Sequence, residues 1–181
     1  MGKKNLNIIE YQAMLEQDFP AFSPEKLVKL GTRIAALEYD KYSAHFAFRR
    51  FDKYGAMVRQ ALEMLQRAVR DRGSVSGPEI DQAQQGVGKA ARMLMNQLDS
   101  GDQQDAGLLS VLGAVSGTVN YLKTKDPLYM LAVFRAPHIH AQAQEGTALN
   151  TPEEQVYYAL LAPEFKQQIG LLWRYKARME L

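Results

Sequence analysis

The chain has no cysteine in its 181 residues. That absence excludes a disulfide framework, a thiolate metal site and a cysteine nucleophile. It also fits a reducing cytosol. Histidine is nearly as scarce, with His45, His138 and His140 the full set. His138-Ile139-His140 is the one metal-like pair. Zinc wants three or four ligands, each imidazole braced by a further partner. Glu145 or His45 would have to complete the set, and no spacing demands either. No histidine follows a glutamate by three residues, so the di-iron pattern of helical bundles is missing. H-E-x-x-H and G-x-S-x-G are missing as well. Gly86-Val87-Gly88-Lys89 lacks the full phosphate-loop spacing and falls inside a predicted helix rather than after a strand. Carboxylates do not gather in the Asp-rich pattern that holds magnesium on helices. These absences predict a protein that is not an enzyme, with no cofactor and no bound metal.

Strong charge of one sign is also lacking. The net charge is +2 and the sequence pI about 8.7, too mild to argue for nucleic acid alone. A membrane-length apolar run is absent too. Ala106 to Leu122 holds 17 uncharged residues, where a spanning helix needs about 20. The run carries Ser110, Ser116, Thr118 and Asn120, with Asp102 and Asp105 before it and Lys123 and Lys125 after it. It reads as a buried central helix. Lys3 and Lys4 are followed too soon by Glu10 to make a signal peptide. Met1-Gly2 lacks the Ser or Thr at position 6 that myristoylation prefers, having Leu6 there. The expectation is a cytoplasmic protein with no membrane association.

What the sequence does have is legible helix punctuation. Ser23-Pro24-Glu25, Asp126-Pro127 and Thr151-Pro152-Glu153-Glu154 each offer a capping oxygen, a proline suited to the first turn or an acid at the positive dipole end. Glu154 completes a capping box with Thr151. Ser76-Gly77-Pro78-Glu79 and Ala162-Pro163-Glu164 are looser versions. No segment sustains a two-residue alternation, so no sheet is predicted. Helices are expected over roughly 5–18, 24–41, 43–71, 78–99, 103–123, 127–136, 152–161 and 163–179. The fold class is all-α: a single domain over 1–181, a bundle of about seven to eight helices around a buried central helix. The 5–18 helix is a candidate peripheral element.

Within 43–71, Ala44, Phe48, Phe51, Gly55, Val58, Leu62, Leu65 and Val69 recur at alternating spacings of four and three. Phe46, Tyr54, Met57, Ala61, Met64 and Ala68 form a second apolar stripe, and His45, Arg49, Asp52, Arg59, Glu63, Gln66 and Arg70 fill the remaining face. Such a helix packs near the middle of a bundle. In the 103–123 helix, Gly113 and Gly117 stand one turn apart with Ser110 and Ala114 nearby, a pattern that lets another backbone approach.

Between Lys41 and Arg72 there are eight Lys or Arg and three acids, a local net of +5. Basic residues mixed with aromatics can bind single-stranded nucleic acid, yet most of these aromatics lie on the two stripes assigned to the core. The same basic face can attract an acidic protein. Residues 78–107 carry five acids and two bases, so the domain is expected to be electrically two-sided. The sole Trp173 sits in Leu171-Leu172-Trp173-Arg174-Tyr175, and Trp, Arg and Tyr are frequent interface anchors. Candidate partner-binding residues are therefore Arg49, Arg50, Lys53, Arg59, His138, His140, Trp173 and Arg174.

Asp105-Ala106-Gly107-Leu108-Leu109-Ser110-Val111-Leu112-Gly113-Ala114-Val115, the Asp126-Pro127 opening, Thr151-Pro152-Glu153-Glu154 and Glu164-Phe165-Lys166-Gln167-Gln168 give 105–170 a distinct character. That half resembles the small all-helical bacterial immunity proteins, which neutralise toxins delivered between competing cells. The resemblance implies stoichiometric binding of a cognate toxin, either by plugging its active site or by covering another face. It assigns no binding residue, because such interfaces differ from pair to pair. The mildly basic pI disfavours a nuclease as the toxin, since inhibitors of basic nucleases are usually acidic. The alternative is a helical adaptor or regulator that binds nucleic acid through 41–72. The sequence leaves the oligomeric state open.

Overall fold

The computed structural model describes residue 17 and residues 22–99 and 102–134. Among them there are helices and no strands. Helix α1 spans Pro24–Phe48, α2 Asp52–Arg70, α3 Gly77–Leu94 and α4 Gln103–Thr124. A 3-10 turn, Arg72–Ser74, links α2 to α3, and residues 127–134 form α5. The helices expected over 5–18, 152–161 and 163–179 lie outside the described residues, as do His138, His140, Trp173 and Arg174.

The caps expected at Ser23, Ser76 and Asp126 form, and Asp102 adds one more. Ser23 Oγ accepts from the Lys26 N–H, with Pro24 in the first turn. The Ser76–Glu79 box is complete: the Glu79 N–H donates to Ser76 Oγ while the Ser76 N–H donates to Glu79 Oε2 at 2.9 Å. Asp102 Oδ1 accepts from the N–H groups of Gln104 and Asp105, both at 2.9 Å, and Asp126 Oδ1 accepts from the Leu128 N–H at 3.0 Å. Each bond satisfies an amide that the first helical turn leaves unpaired.

Two boundaries differ: the helix expected over 78–99 ends at Leu94, and the junction of the first two helices moves. The break expected near residue 42 falls instead at 49–51. Tyr42 and Phe46 are buried, so the core face of α1 continues past 42 for another turn and a half. The chain then turns at Arg50, which adopts a left-handed φ of 59°. The Phe51 N–H donates to Phe46 O at 2.6 Å and closes the turn. Phe48, placed by its spacing on a core stripe, is 79% exposed. It lies two residues beyond Phe46, which puts it on the opposite side of α1. Beyond the turn both expected stripes hold, with Gly55, Val58, Leu62 and Leu65 buried on one and Ala61, Met64 and Ala68 on the other.

Helix α4 is buried nearly all round and packs most extensively on α1, with α3 on another side. Glycine permits this closeness at two points. A Cβ on Gly107 would fall inside the Tyr42 ring. A Cβ on Gly117 would stand 2.6 Å from Val133 Cγ2 and 2.8 Å from the Tyr129 carbonyl oxygen. Inside this contact Ser110 Oγ donates to the buried Glu38 carboxylate at 2.6 Å. Among the described residues no helix is long and apolar enough to cross a membrane.

Candidate functional site

The turn between α1 and α2 meets the start of α4 at a polar cluster. Asp105 occupies the first turn of α4 and is 2% exposed. A buried carboxylate needs donors to offset its lost hydration, and it has three. His45 Nε2 donates to Oδ1 at 2.8 Å, the Asp99 N–H donates to Oδ2 at 3.0 Å, and Arg49 Nη2 lies 3.2 Å from Oδ2. The Arg49 guanidinium also donates to Gln97 O at 2.8 Å. One carboxylate thus ties the end of α1 to the α3–α4 loop and to α4.

Asp102 borders the cluster. The Asp105 N–H holds its carboxyl below the ordinary value of 3.8, helped by the Gln104 N–H and the positive charge of His45 and Arg49; slight burial opposes them. Ligand atoms of His45, Asp102 and Asp105 all lie within 4.8 Å of one another. Both Asp105 oxygens and Asp102 Oδ1 already accept from His45, Arg49, Asp99 and the α4 amides. A metal would have to displace the Arg49 guanidinium, itself a cation. Nor does the His45–Asp105 pair form a nucleophile-activating relay among the described residues, where the imidazole bonds to Asp105. The arrangement is a brace.

The brace fixes an exposed corner. The Phe48 ring stacks on the His45 imidazole, 5.3 Å between centroids and 18° between planes. Arg50 and Lys53 are exposed beside it. Of the residues expected to face a partner, Arg49 turns inward to Asp105 while Arg50 and Lys53 stay at the corner. Arg59 is exposed two turns along α2 and faces Tyr39, whose phenol is raised by burial and partly lowered again by Arg59. Sequence reasoning missed Phe48 as a surface residue and Asp105 as the keystone. The signal for Asp105 was present: an acid at the mouth of a helix whose only other charge is Lys123 in the last turn.

A groove of about 460 Å³ runs between α2 and α3, lined by Met57, Met64, Gln82 and Lys89 among others. Arg67 and Glu79 bridge its end at 3.0 Å. Gly86 and Gly88 lie within α3 beside it, as a helix segment and not as a phosphate loop. Compared with protein-family models, curated proteins and solved structures, the chain matches none.

Proposed function

We propose that the chain is a binding protein for another protein, most concretely a cytoplasmic immunity protein that neutralises a cognate bacterial toxin by stoichiometric binding. The observation that carries this reading is Phe48, 79% exposed on a corner locked from beneath by Asp105. A large aromatic held at the surface in a fixed orientation gives up little entropy on binding. Arginine and aromatic side chains are the usual anchors of protein interfaces. Arg50 and Lys53 add positive charge around the ring, so the partner presents an acidic rim around an apolar pocket.

Co-purification with the product of the neighbouring open reading frame tests the proposal, together with protection of cells that express that product. Phe48→Ala and Lys53→Glu are expected to weaken capture by about tenfold or more each. No capture and no protection would overturn the immunity reading.

A second reading, nucleic-acid binding, is favoured by the solvent face of α2, where Lys53, Arg59, Arg67 and Arg70 are exposed. The burial of Tyr42 and Phe46 removes two of the aromatics on which bases would stack. Electrophoretic shifts across a salt series separate the readings, since phosphate contacts weaken steeply with salt.

A further inference from the structure

A second groove, of about 350 Å³, runs along the α1–α2 crossing. Its α1 wall is Lys29, Thr32, Arg33 and Ala36, and its α2 wall Gln66, Val69 and Arg70. Three lining residues are cations and none is an acid. Lys29 and Arg33 stand four apart on one helix face, where like charges repel. Lys29, Arg33 and Arg70 are exposed, and none has an ion pair with an acid among the described residues.

Thr32 lines the same groove and supplies an independent observation. A threonine inside a helix commonly returns its hydroxyl to the carbonyl four residues back. Thr118 does so to Ala114 O at 2.8 Å, and Thr124 to Asn120 O at 2.9 Å. Thr32 is 5% exposed, and its Oγ1 is buried with no hydrogen-bond partner among the described residues. A buried hydroxyl without a partner destabilises the protein that carries it. Uncompensated cations and an orphan hydroxyl on one groove are complementary to one kind of ligand, an oxyanion.

We infer that the α1–α2 groove binds a small phosphate dianion, as a phosphate monoester or the free ion. Arg33 and Arg70 present forked N–H donors that match paired phosphate oxygens. Lys29 adds a compact charge, Gln66 an amide, and Thr32 a hydroxyl that must turn out of its closed position to reach the ligand. A dianion balances most of the three cations, where a single carboxylate leaves two uncompensated. The volume sits at the small-molecule end of the usual range, the size of a phosphorylated metabolite. This site is separate from the corner around Phe48 and stands independently of the toxin-binding proposal.

Isothermal titration of the full chain with inorganic phosphate and with ribose 5-phosphate, at constant ionic strength, tests it. Saturable one-to-one binding is expected. Arg33→Gln combined with Arg70→Gln should weaken it by about tenfold or more, and Arg92→Gln, outside the groove, should leave it unchanged. Thr32→Val should raise the Tm without phosphate, since the orphan is gone, and reduce the Tm gain that phosphate produces. Tighter binding of ribose 5-phosphate assigns the site to a phosphorylated metabolite, and equal binding assigns it to the free ion. Absence of saturable binding, or binding that the double variant leaves intact, overturns the inference. So does a Thr32→Val chain whose affinity is unchanged.

Discussion

Asp105 shows how much one side chain can organise. Its carboxylate is buried, and its donors come from α1, from the turn after α1 and from the α3–α4 loop. Removing it leaves the His45 imidazole without its acceptor and the partly exposed Arg49 guanidinium with the Gln97 carbonyl alone. Breaking a buried pair by deleting one partner costs several kcal/mol, and the exposure of Arg49 tempers that. Asp105→Ala is therefore expected to lose about 3 kcal/mol in chemical denaturation. A loss below about 1 kcal/mol would mean that the brace contributes little beyond a surface pair. The sequence makes the acid visible but not its role, because the partners lie 60 residues away in the case of His45. Local punctuation speaks for helix starts, and nothing local speaks for a contact of that range.

Helices α1 and α2 explain where periodicity misleads. The apolar positions on either side of residues 49–51 fit one continuous stripe, yet the chain reverses there, so phase on one side says nothing about phase on the other. No proline or glycine marks the turn; Arg50 takes the left-handed conformation that glycine usually supplies. The caps at Ser23, Ser76 and Asp126 were legible because each is a short-range rule that side chain and backbone obey together. Small residues on α4 were legible as close approach, and Gly117 carries that out against α5. Gly117→Ala forces a methyl onto the Tyr129 carbonyl and Val133 and should cost about 2 kcal/mol. Gly86→Ala in α3 meets its nearest neighbour, Met57 Cβ, at an ordinary 3.8 Å. It should instead stabilise by about 1 kcal/mol through helix propensity. Urea midpoints of the two variants must move in opposite directions.

At the scale of the whole molecule, two carboxylates at helix starts contribute to the acid response. Asp102 and Glu79 are both held below their ordinary values, Asp102 first by the Asp105 N–H and Glu79 first by the Ser76 N–H, then by Arg67. A carboxylate lowered on folding stabilises above its unfolded pKa, and the contribution is lost as pH falls through the folded value. Stability should therefore be flat near neutrality and decline below about pH 4. Asp102→Asn with Glu79→Gln should flatten that decline in a series of denaturation curves. An unchanged acid limb would assign it to other groups.

Helix α4 closes the core formed with α1 and α3, and it emerges from the ribosome only after all three preceding helices. Until then the inner sides of α1, α2 and α3, among them Leu30, Ile34, Leu65 and Leu94, have no lid. The pairing of α1 with α4 joins residues such as Glu38 and Ser110, 72 positions apart, so its closure entropy falls late in assembly. The nascent protein thus passes through a stage with an open apolar trough. That stage, and not the finished bundle, is where chaperones and aggregation compete for it.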